Sequence, residues 1–255
     1  MDPQTLLNTW KREEQQPFSG WNFSYLDQRF FEDEPPWNYL ALATSRMKTA
    51  TSVLDMGTGG GERFLQLRPY WPGKVVATED YPPNVILATE RLTSYGVKVY
   101  DVELTDTGSM PFIDGEFDLV LNRHSSFNCN EVARILAPGG TFLTQQIHGL
   151  WGQDLIEAFG AKPQWPDSTP EKYEPLLERA GLEIVNSQEW KGRFWFTDVG
   201  AVVYYLKAIP WMVPGFSVDT HLASLMALQD RLEQGRKLEF LAWKYLIEAH
   251  KPGAQ

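Results

Sequence analysis

Residues 53–62 of this chain read Val53-Leu54-Asp55-Met56-Gly57-Thr58-Gly59-Gly60-Gly61-Glu62. Two apolar residues and an acid, typical of the end of a buried strand, run into a glycine-rich turn, and a helix pattern begins at Glu62. Glycine lets the backbone turn sharply and approach a ligand because it has no Cβ. The helix behind such a turn points its free N–H groups at whatever lies above the strand ends. The segment therefore predicts a nucleotide-binding turn in an α/β fold.

Two kinds of nucleotide ligand suit such a turn. A dinucleotide fold requires G-x-G-x-x-G/A, and the chain has Glu62 where the last small residue belongs. A carboxylate there repels the phosphates of a dinucleotide, whereas S-adenosylmethionine has no phosphate and carries a sulfonium and an ammonium that acids attract. Residues 53–61 also match throughout the first motif of the class I S-adenosylmethionine-dependent methyltransferases. That motif is two hydrophobic residues, an acid and three alternating glycines, and the chain resembles the family at this point.

The downstream chain continues the pattern. Residues 75–79 predict a second strand whose terminal acid, Glu79, lies 20 residues after Gly59. A carboxylate there can accept hydrogen bonds from both ribose hydroxyls, although the adjacent Asp80 is an alternative for that role. A third strand over 97–101, a fourth after the turn at 110–116, and a helix and fifth strand over 131–143 follow in order. They resemble the later motifs of the same family, so the resemblance covers roughly residues 50–150.

This resemblance implies the fold class and the cofactor. The fold is an α/β, doubly wound, seven-stranded, mostly parallel sheet (a Rossmann-like methyltransferase fold), with the seventh strand antiparallel. The cofactor is S-adenosylmethionine, its product is S-adenosylhomocysteine, and no metal is expected. By analogy with the family, the glycine turn holds the methionine part, Glu79 holds the ribose, and Asp101 and Val102 contact the adenine. The implied cofactor-binding residues are Asp55, Gly57, Thr58, Gly59, Glu79, Asp101, Val102 and Asn122.

The 255 residues suggest one large domain or a domain with a lid. Residues 1–50 are predicted to form an aromatic, partly helical cap segment, and residues 51–191 the S-adenosylmethionine-binding core. Residues 192–235 are an apolar insertion between strands six (182–185) and seven (243–249), and residues 236–255 hold the last strand and a tail. Because both additions are rich in aromatic and apolar side chains, we expect them to close over a pocket for a largely apolar or aromatic molecule.

Composition restricts the class of protein further. No apolar run approaches the ~20 residues that a membrane span needs, and the first residues lack the basic start and apolar stretch of a secretory signal. A reducing cytoplasm is therefore the expected location. The single cysteine, Cys129, excludes an intramolecular disulfide and a cysteine-based zinc site.

Candidate catalytic residues follow strands four and five. His124 comes where members of the family place residues that face the transferred methyl group, so it is the candidate base or acceptor-orienting group. The alternative for His124 is a hydrogen bond that stabilises its loop, and His148, after strand five, is the second candidate. Arg123 is expected to pair either with a substrate carboxylate or with a nearby acid such as Asp118.

The sequence therefore predicts a methyltransferase that uses S-adenosylmethionine and acts on a small, partly apolar or aromatic molecule. A tRNA or protein methyltransferase is an alternative. Asn122 is followed by Arg123 rather than by the Pro-Pro-aromatic motif of many base N-methyltransferases, which disfavours nucleic acid. A nicotinamide-dependent oxidoreductase, disfavoured by Glu62, and a non-catalytic S-adenosylmethionine-binding protein complete the alternatives.

We predict that the protein shows no measurable retention on DNA or bulk RNA at physiological salt. Its net charge is −10 and no basic run occurs, whereas nucleic-acid binding draws much of its affinity from the neutralisation of phosphates. Electrophoretic mobility shift over a range of salt concentrations is the measurement. Salt-sensitive binding in the micromolar range would contradict the prediction and favour the tRNA alternative.

Overall fold

The computed structural model describes residues 2–253 and shows a central β-sheet with helices on both faces. The strands are β1 (Phe30–Glu32), β2 (Ser52–Met56), β3 (Lys74–Glu79), β4 (Lys98–Asp101), β5 (Phe117–Arg123), β6 (Leu136–Ile147), β7 (Glu183–Phe196) and β8 (Leu238–His250). The helices are α1 (Pro3–Glu14), α2 (Tyr39–Met47), α3 (Glu62–Gln66), α4 (Pro82–Thr93), α5 (Cys129–Ile135), α6 (Gln153–Ala158), α7 (Pro170–Arg179), α8 (Val199–Ala208) and α9 (Leu222–Glu233). Among residues 2–253, no helix combines the length and the apolar composition needed to cross a membrane.

The strands lie in the order β1-β7-β8-β6-β5-β2-β3-β4. Strands β2 to β6 are parallel to one another, and β8 is antiparallel to both β6 and β7. This confirms the predicted doubly wound, mostly parallel α/β fold. The chain order reverses beside β2, so the carboxyl ends of β2, β3 and β5 meet at the edge where open α/β sheets bind ligands.

The sheet differs from the prediction in the number and length of its strands. An eighth strand, β1, pairs antiparallel with the end of β7, with Phe30 opposite Phe196. Strands β7 and β8 are also longer than predicted. Residues 183–196 pair with residues 238–250, and residues 238–243 of β8 lie past the end of its pairing with β6 at Ile147. This long antiparallel pair has an unpaired edge on β7 beyond the parallel sheet. The short β1 pairs with the last three residues of that edge.

Each face of the sheet has its own hydrophobic core. On β2, Val53 packs with α2, α3 and α4, whereas Leu54 packs on the other face with α5 and α7. Both side chains are fully buried. This alternation is the expected result of a parallel strand that is covered by helices on both sides.

A third core lies outside these two layers, and we call it the cap core. It joins α1 to α6, α8 and α9 and to the projecting ends of β7 and β8. Nine of the ten residues of α8 are buried, which makes this helix the centre of the cap core. The cap core therefore combines the aromatic N-terminal segment and the apolar insertion, two segments far apart in the sequence.

Arg29 links these two segments electrostatically. Its guanidinium donates to both carboxylate oxygens of Asp198 at 2.9 and 2.7 Å, and to Glu13 of α1 at 3.3 and 3.0 Å. Asp198 in turn caps α8 by accepting from the Ala201 N–H at 2.8 Å. The bidentate geometry fixes the N-terminus of α8 against the N-terminal segment.

We predict that Trp10→Ala destabilises the protein by about 3–5 kcal/mol, because it leaves a cavity in the cap core. Trp10 lies on α1 and is 2% exposed. Trp165→Ala is the matched control, since Trp165 is 55% exposed. Guanidinium chloride unfolding followed by circular dichroism measures both variants. Equal stability of the two variants would show that α1 is not part of a cooperative core.

Candidate functional site

The glycine turn after β2 requires glycine at two positions, which contact different neighbouring side chains. Gly57 and Gly59 both have positive φ, +64° and +62°. A Cβ on Gly57 would lie 2.4 Å from the side chain of Ser125, and one on Gly59 would lie 2.8 Å from the Trp21 ring. The turn therefore brings bare backbone against the loop after β5 and against the N-terminal segment.

Glu79, at the end of β3, holds this turn in place. Its carboxylate accepts a hydrogen bond from the Gly59 N–H at 2.6 Å and another from the Tyr81 N–H at 3.1 Å. Burial raises the pKa of Glu79, and these two donors oppose the shift. The adjacent Asp80 instead accepts from the Leu104 N–H at 3.3 Å. Of the two acids, Glu79 is thus the one that faces the turn.

Asp55 lies on β2 between Ala77 of β3 and Leu121 of β5. Solvent reaches its carboxylate only in part, and protein surrounds it. Burial raises the pKa of Asp55 to about 7, and the charge of Glu79 acts in the same direction. A cation beside Asp55 would favour the ionised carboxylate and so lower this pKa.

A buried polar atom next to the turn, Asn122 Nδ2, lacks a hydrogen-bond partner in the described part of the chain. Asn122 is otherwise fixed, since its Oδ1 accepts from the Thr144 hydroxyl at 2.9 Å and its backbone carbonyl accepts from the Tyr39 hydroxyl at 3.2 Å. Unpaired buried groups of this kind are costly unless a ligand or water completes them.

Asp101 and Val102 lie at the end of β4, beside the end of β3. Asp101 is opposite Glu79 in the register, and its side chain is exposed. The Val102 N–H donates to the Glu79 carbonyl at 3.0 Å. The structure thus brings both residues to the same edge as the glycine turn.

His124 follows β5 and has the left-handed φ of +61°, which is uncommon for a residue other than glycine. The residue is exposed to solvent, although protein surrounds its ring. Burial by the surrounding protein lowers the pKa of His124 well below its usual value, and the charges of Arg123, Lys244 and Arg63 add to this effect. The imidazole is therefore neutral at pH 7.

A hydrogen-bond chain assigns the tautomer of this neutral ring. The indole N–H of Trp37, which can only donate, bonds to Gln145 Oε1 at 2.8 Å. The Gln145 amide nitrogen must therefore donate to His124 Nε2, 3.0 Å away. The proton of His124 is consequently on Nδ1. Action as a base requires Nε2 to leave Gln145, whereas orienting an acceptor through Nδ1–H does not.

The second histidine candidate, His148, is only 4% exposed. Its ring stacks on Trp243 with a centroid separation of 3.7 Å, and its Nδ1 accepts from the Leu150 N–H at 3.1 Å. These contacts indicate that His148 stabilises the start of the segment after β6.

A group of cations surrounds His124, which the sequence analysis largely missed. Lys244 of β8 pairs with Glu32 of β1, and both are mostly buried. The guanidinium of Arg123, at the end of β5, makes no hydrogen bond or ion pair with any part of residues 2–253, and burial lowers its pKa to about 10. The charge of Arg63, from the first turn of α3, lowers that pKa further.

The expectation that Arg123 pairs with Asp118 is wrong. Asp118 lies near the opposite end of β5 and accepts from the backbone N–H groups of Thr51 and Ser52 at 2.8 and 2.9 Å. A strand of seven residues separates its two ends too far for such a pair.

The N-terminal segment and the insertion meet above the glycine turn. The ring of Trp21 lies against Gly59 and makes an edge contact with Trp211 of the insertion, with centroids 5.8 Å apart. Gly20 lies near Leu87 and Asn84 of α4. Sequence reasoning pointed to the aromatic content of both segments, but not to this contact.

Comparison with known proteins shows to which family this chain belongs. A sequence model described as a methyltransferase domain matches residues 54–144. The chain is 32% identical to the demethylmenaquinone methyltransferase of Thermus thermophilus over 180 residues, which cover 58% of this chain and 81% of that protein. It is 28% identical over 124 residues to the ubiquinone/menaquinone biosynthesis C-methyltransferase UbiE of Laribacter hongkongensis, covering 45% of this chain and 50% of that protein. The chain thus spans about half the length of this second relative.

Solved structures agree on the fold. YcgJ of Bacillus subtilis superposes with a TM-score of 0.59 at 18% identity, over 85% of this chain and 99% of that one. The [4+2]-cyclase SpnF superposes with a TM-score of 0.53 at 15% identity, over 99% of this chain and 93% of that one. Since one fold hosts different chemistries, the assignment rests on the sequence relatives. On the strength of the first relative and the matching domain, this chain belongs to the class I S-adenosylmethionine-dependent methyltransferases.

Proposed function

We propose that this protein binds S-adenosylmethionine over the carboxyl ends of β2 and β3 and methylates a small, partly apolar or aromatic molecule beneath the cap. The observation that carries the proposal is the hydrogen bond between Glu79 and the Gly59 N–H. It joins an acid suited to a ribose to a turn suited to the rest of the cofactor. The second oxygen of the carboxylate is held by the Tyr81 N–H.

The residues at this edge fit the cofactor. Asn122 Nδ2 is buried without a partner in the described chain, so it is available to a ligand. Asp55 attracts a cationic amino group. Asp101 and Val102 are our candidates for contacts with the adenine. When bound, S-adenosylmethionine supplies an electrophilic methyl group.

The protein's own task is then to orient the acceptor and to exclude water. The cap, proposed to consist of parts of residues 1–50 and 192–235, covers the glycine turn through the contact of Trp21 with Gly59 and Trp211. His124, neutral and with its proton on Nδ1, is suited to orienting an acceptor oxygen. Its Nε2 is engaged by Gln145.

The nature of the acceptor is supported by the cap and by the relatives. The cap is lined by aromatic rings, and two relatives are named for menaquinone or ubiquinone biosynthesis. Both observations favour a small aromatic molecule over tRNA or protein. Against the nicotinamide alternative, the Glu62 carboxylate lies against Gly60 and pairs with Arg91 at 2.5 Å, so a carboxylate already faces the N-terminus of α3.

We predict that calorimetry detects binding of S-adenosylhomocysteine and none of NAD. Glu79→Gln should weaken the binding by roughly 1.5–3 kcal/mol, because the neutral amide loses the charge-assisted hydrogen bonds to the ribose. Glu90→Gln, an exposed acid on α4, is the matched control and should bind as the wild type does. Binding of NAD but not of S-adenosylhomocysteine would refute the proposed function. Undiminished affinity in Glu79→Gln would move the ribose role to Asp80, which Asp80→Asn tests.

We also predict a pH dependence that originates at Asp55. Its pKa of about 7 in the free protein means that a bound ammonium group must draw it into the ionised form. The affinity for S-adenosylhomocysteine should therefore rise, by up to roughly tenfold, between pH 6 and pH 8. Asp55→Asn should remove this rise and Glu90→Gln should keep it.

In the free protein, the stability contributed by Asp55 changes with pH in the opposite direction to the ligand affinity. Because the folded state holds the Asp55 proton more tightly than the unfolded state, the contribution of Asp55 to the free energy of unfolding falls as the pH rises from about 4 to 7. Asp55→Asn should gain stability over the wild type in that interval. A pH profile of unfolding that is the same in both proteins would contradict the raised pKa.

A further inference from the structure

We propose that Arg123, assisted by Arg63, is the recognition site for an anionic oxygen group, a carboxylate or a phenolate, on the acceptor molecule. The inference rests on the proposed function and specifies the class of its substrate. It begins from an arginine whose guanidinium has five N–H donors and no acceptor among residues 2–253.

The first argument is the position of Arg123. It ends β5, opposite Gln145 of β6 in the register, and the acids and hydroxyl that act on its charge are Tyr39, Glu32 and Asp55. Two of these three belong to the segment before β2, and only Asp55 belongs to the strand of the glycine turn. Arg123 is thus displaced from Glu79 towards the cap, on the side where the acceptor must lie.

The second argument is that no internal anion satisfies Arg123. Asp118 is held by Thr51 and Ser52, and Glu32 is held by Lys244. The remaining acid, Asp55, makes no hydrogen bond with Arg123 and titrates near pH 7. A guanidinium that is largely buried and has no bonded partner is costly for the fold, and an incoming anion would offset that cost.

The third argument is the local accumulation of positive charge. The charge of Arg63 acts on Arg123, on His124 and on Lys244. Arg63 is itself exposed and has no bonded partner in the described chain. With Lys244 neutralised by Glu32, two positive charges remain in one cleft of a protein whose net charge is −10.

The fourth argument is access. Arg123 is partly accessible and His124 is exposed, although protein surrounds both. This combination describes side chains at a cleft open to solvent, whereas the nearby rings of Tyr39 and Trp151 are buried. An anionic oxygen group that enters the cleft is complementary to the unpaired guanidinium.

The test uses two ligands of the same shape that differ in charge, 2-naphthoate and 2-naphthamide. Their binding to the full chain is measured by calorimetry at saturating S-adenosylhomocysteine. In the wild type we expect 2-naphthoate to bind at least about tenfold more tightly than 2-naphthamide. Arg123→Gln should abolish this preference and Arg63→Gln should reduce it. Arg236→Gln, an exposed arginine before β8, should leave it unchanged.

The affinity for S-adenosylhomocysteine separates the possible outcomes. Retained affinity in Arg123→Gln, with the carboxylate preference lost, supports the inference and shows that the variant is folded. If Arg123→Gln instead weakens the binding of S-adenosylhomocysteine and the wild type has no preference for 2-naphthoate, the arginine binds the carboxylate of the cofactor product. That outcome overturns the inference. A wild type that binds S-adenosylhomocysteine but shows no preference for 2-naphthoate, or binds neither probe, also overturns it. Failure of the wild type to bind S-adenosylhomocysteine refutes the proposed function itself.

Discussion

The hydrogen bond from the Gly59 N–H to the buried carboxylate of Glu79 is the contact on which the arrangement of the candidate site depends. It connects the turn after β2 to the end of β3, and so holds a backbone with positive φ at a fixed distance from an acid. The turn cannot tolerate a Cβ at Gly57 or Gly59, because Ser125 and Trp21 already contact it. Three separate segments therefore meet at one turn.

The cap core explains how a parallel sheet supports a covered cleft. Strands β7 and β8 continue past the end of β6. Their projecting ends provide apolar side chains, such as Phe194 and Phe240, on which helices pack. Helix α8 is almost entirely buried there, and Arg29 fixes its N-terminus to α1 through Asp198 and Glu13. The cap is thus a hydrophobic core in its own right, built on an extension of the sheet.

The charges at the carboxyl edge are divided between two sides. The acids Asp55 and Glu79 lie on β2 and β3, whereas Arg123 ends β5 on the other side of β2, and Arg63 follows the glycine turn on α3. The protonation of each group responds to this division, since burial raises the pKa of Asp55 and lowers that of Arg123. A cationic methyl donor and an anionic acceptor would each meet the side of opposite charge.

Local patterns in the sequence were sufficient for the α/β class, the succession of the parallel strands along the chain and the glycine turn. These features depend on neighbouring residues, such as an apolar run ending in Asp55 or the spacing from Gly59 to Glu79. Strand β1 was not predictable, because Phe-Phe-Glu is too short to carry a periodic signal and forms only against the end of β7.

Only the tertiary structure decided what the charged and titratable residues of the cleft contact. Lys244 meets Glu32 across 212 positions of the chain, and Arg123 is far from Asp118 although both lie on β5. The tautomer of His124 follows from Trp37 through Gln145, three residues that no local pattern connects. A sequence specifies backbone preferences within a few residues, whereas hydrogen-bond partners and desolvation arise from elements that meet only when the chain has folded.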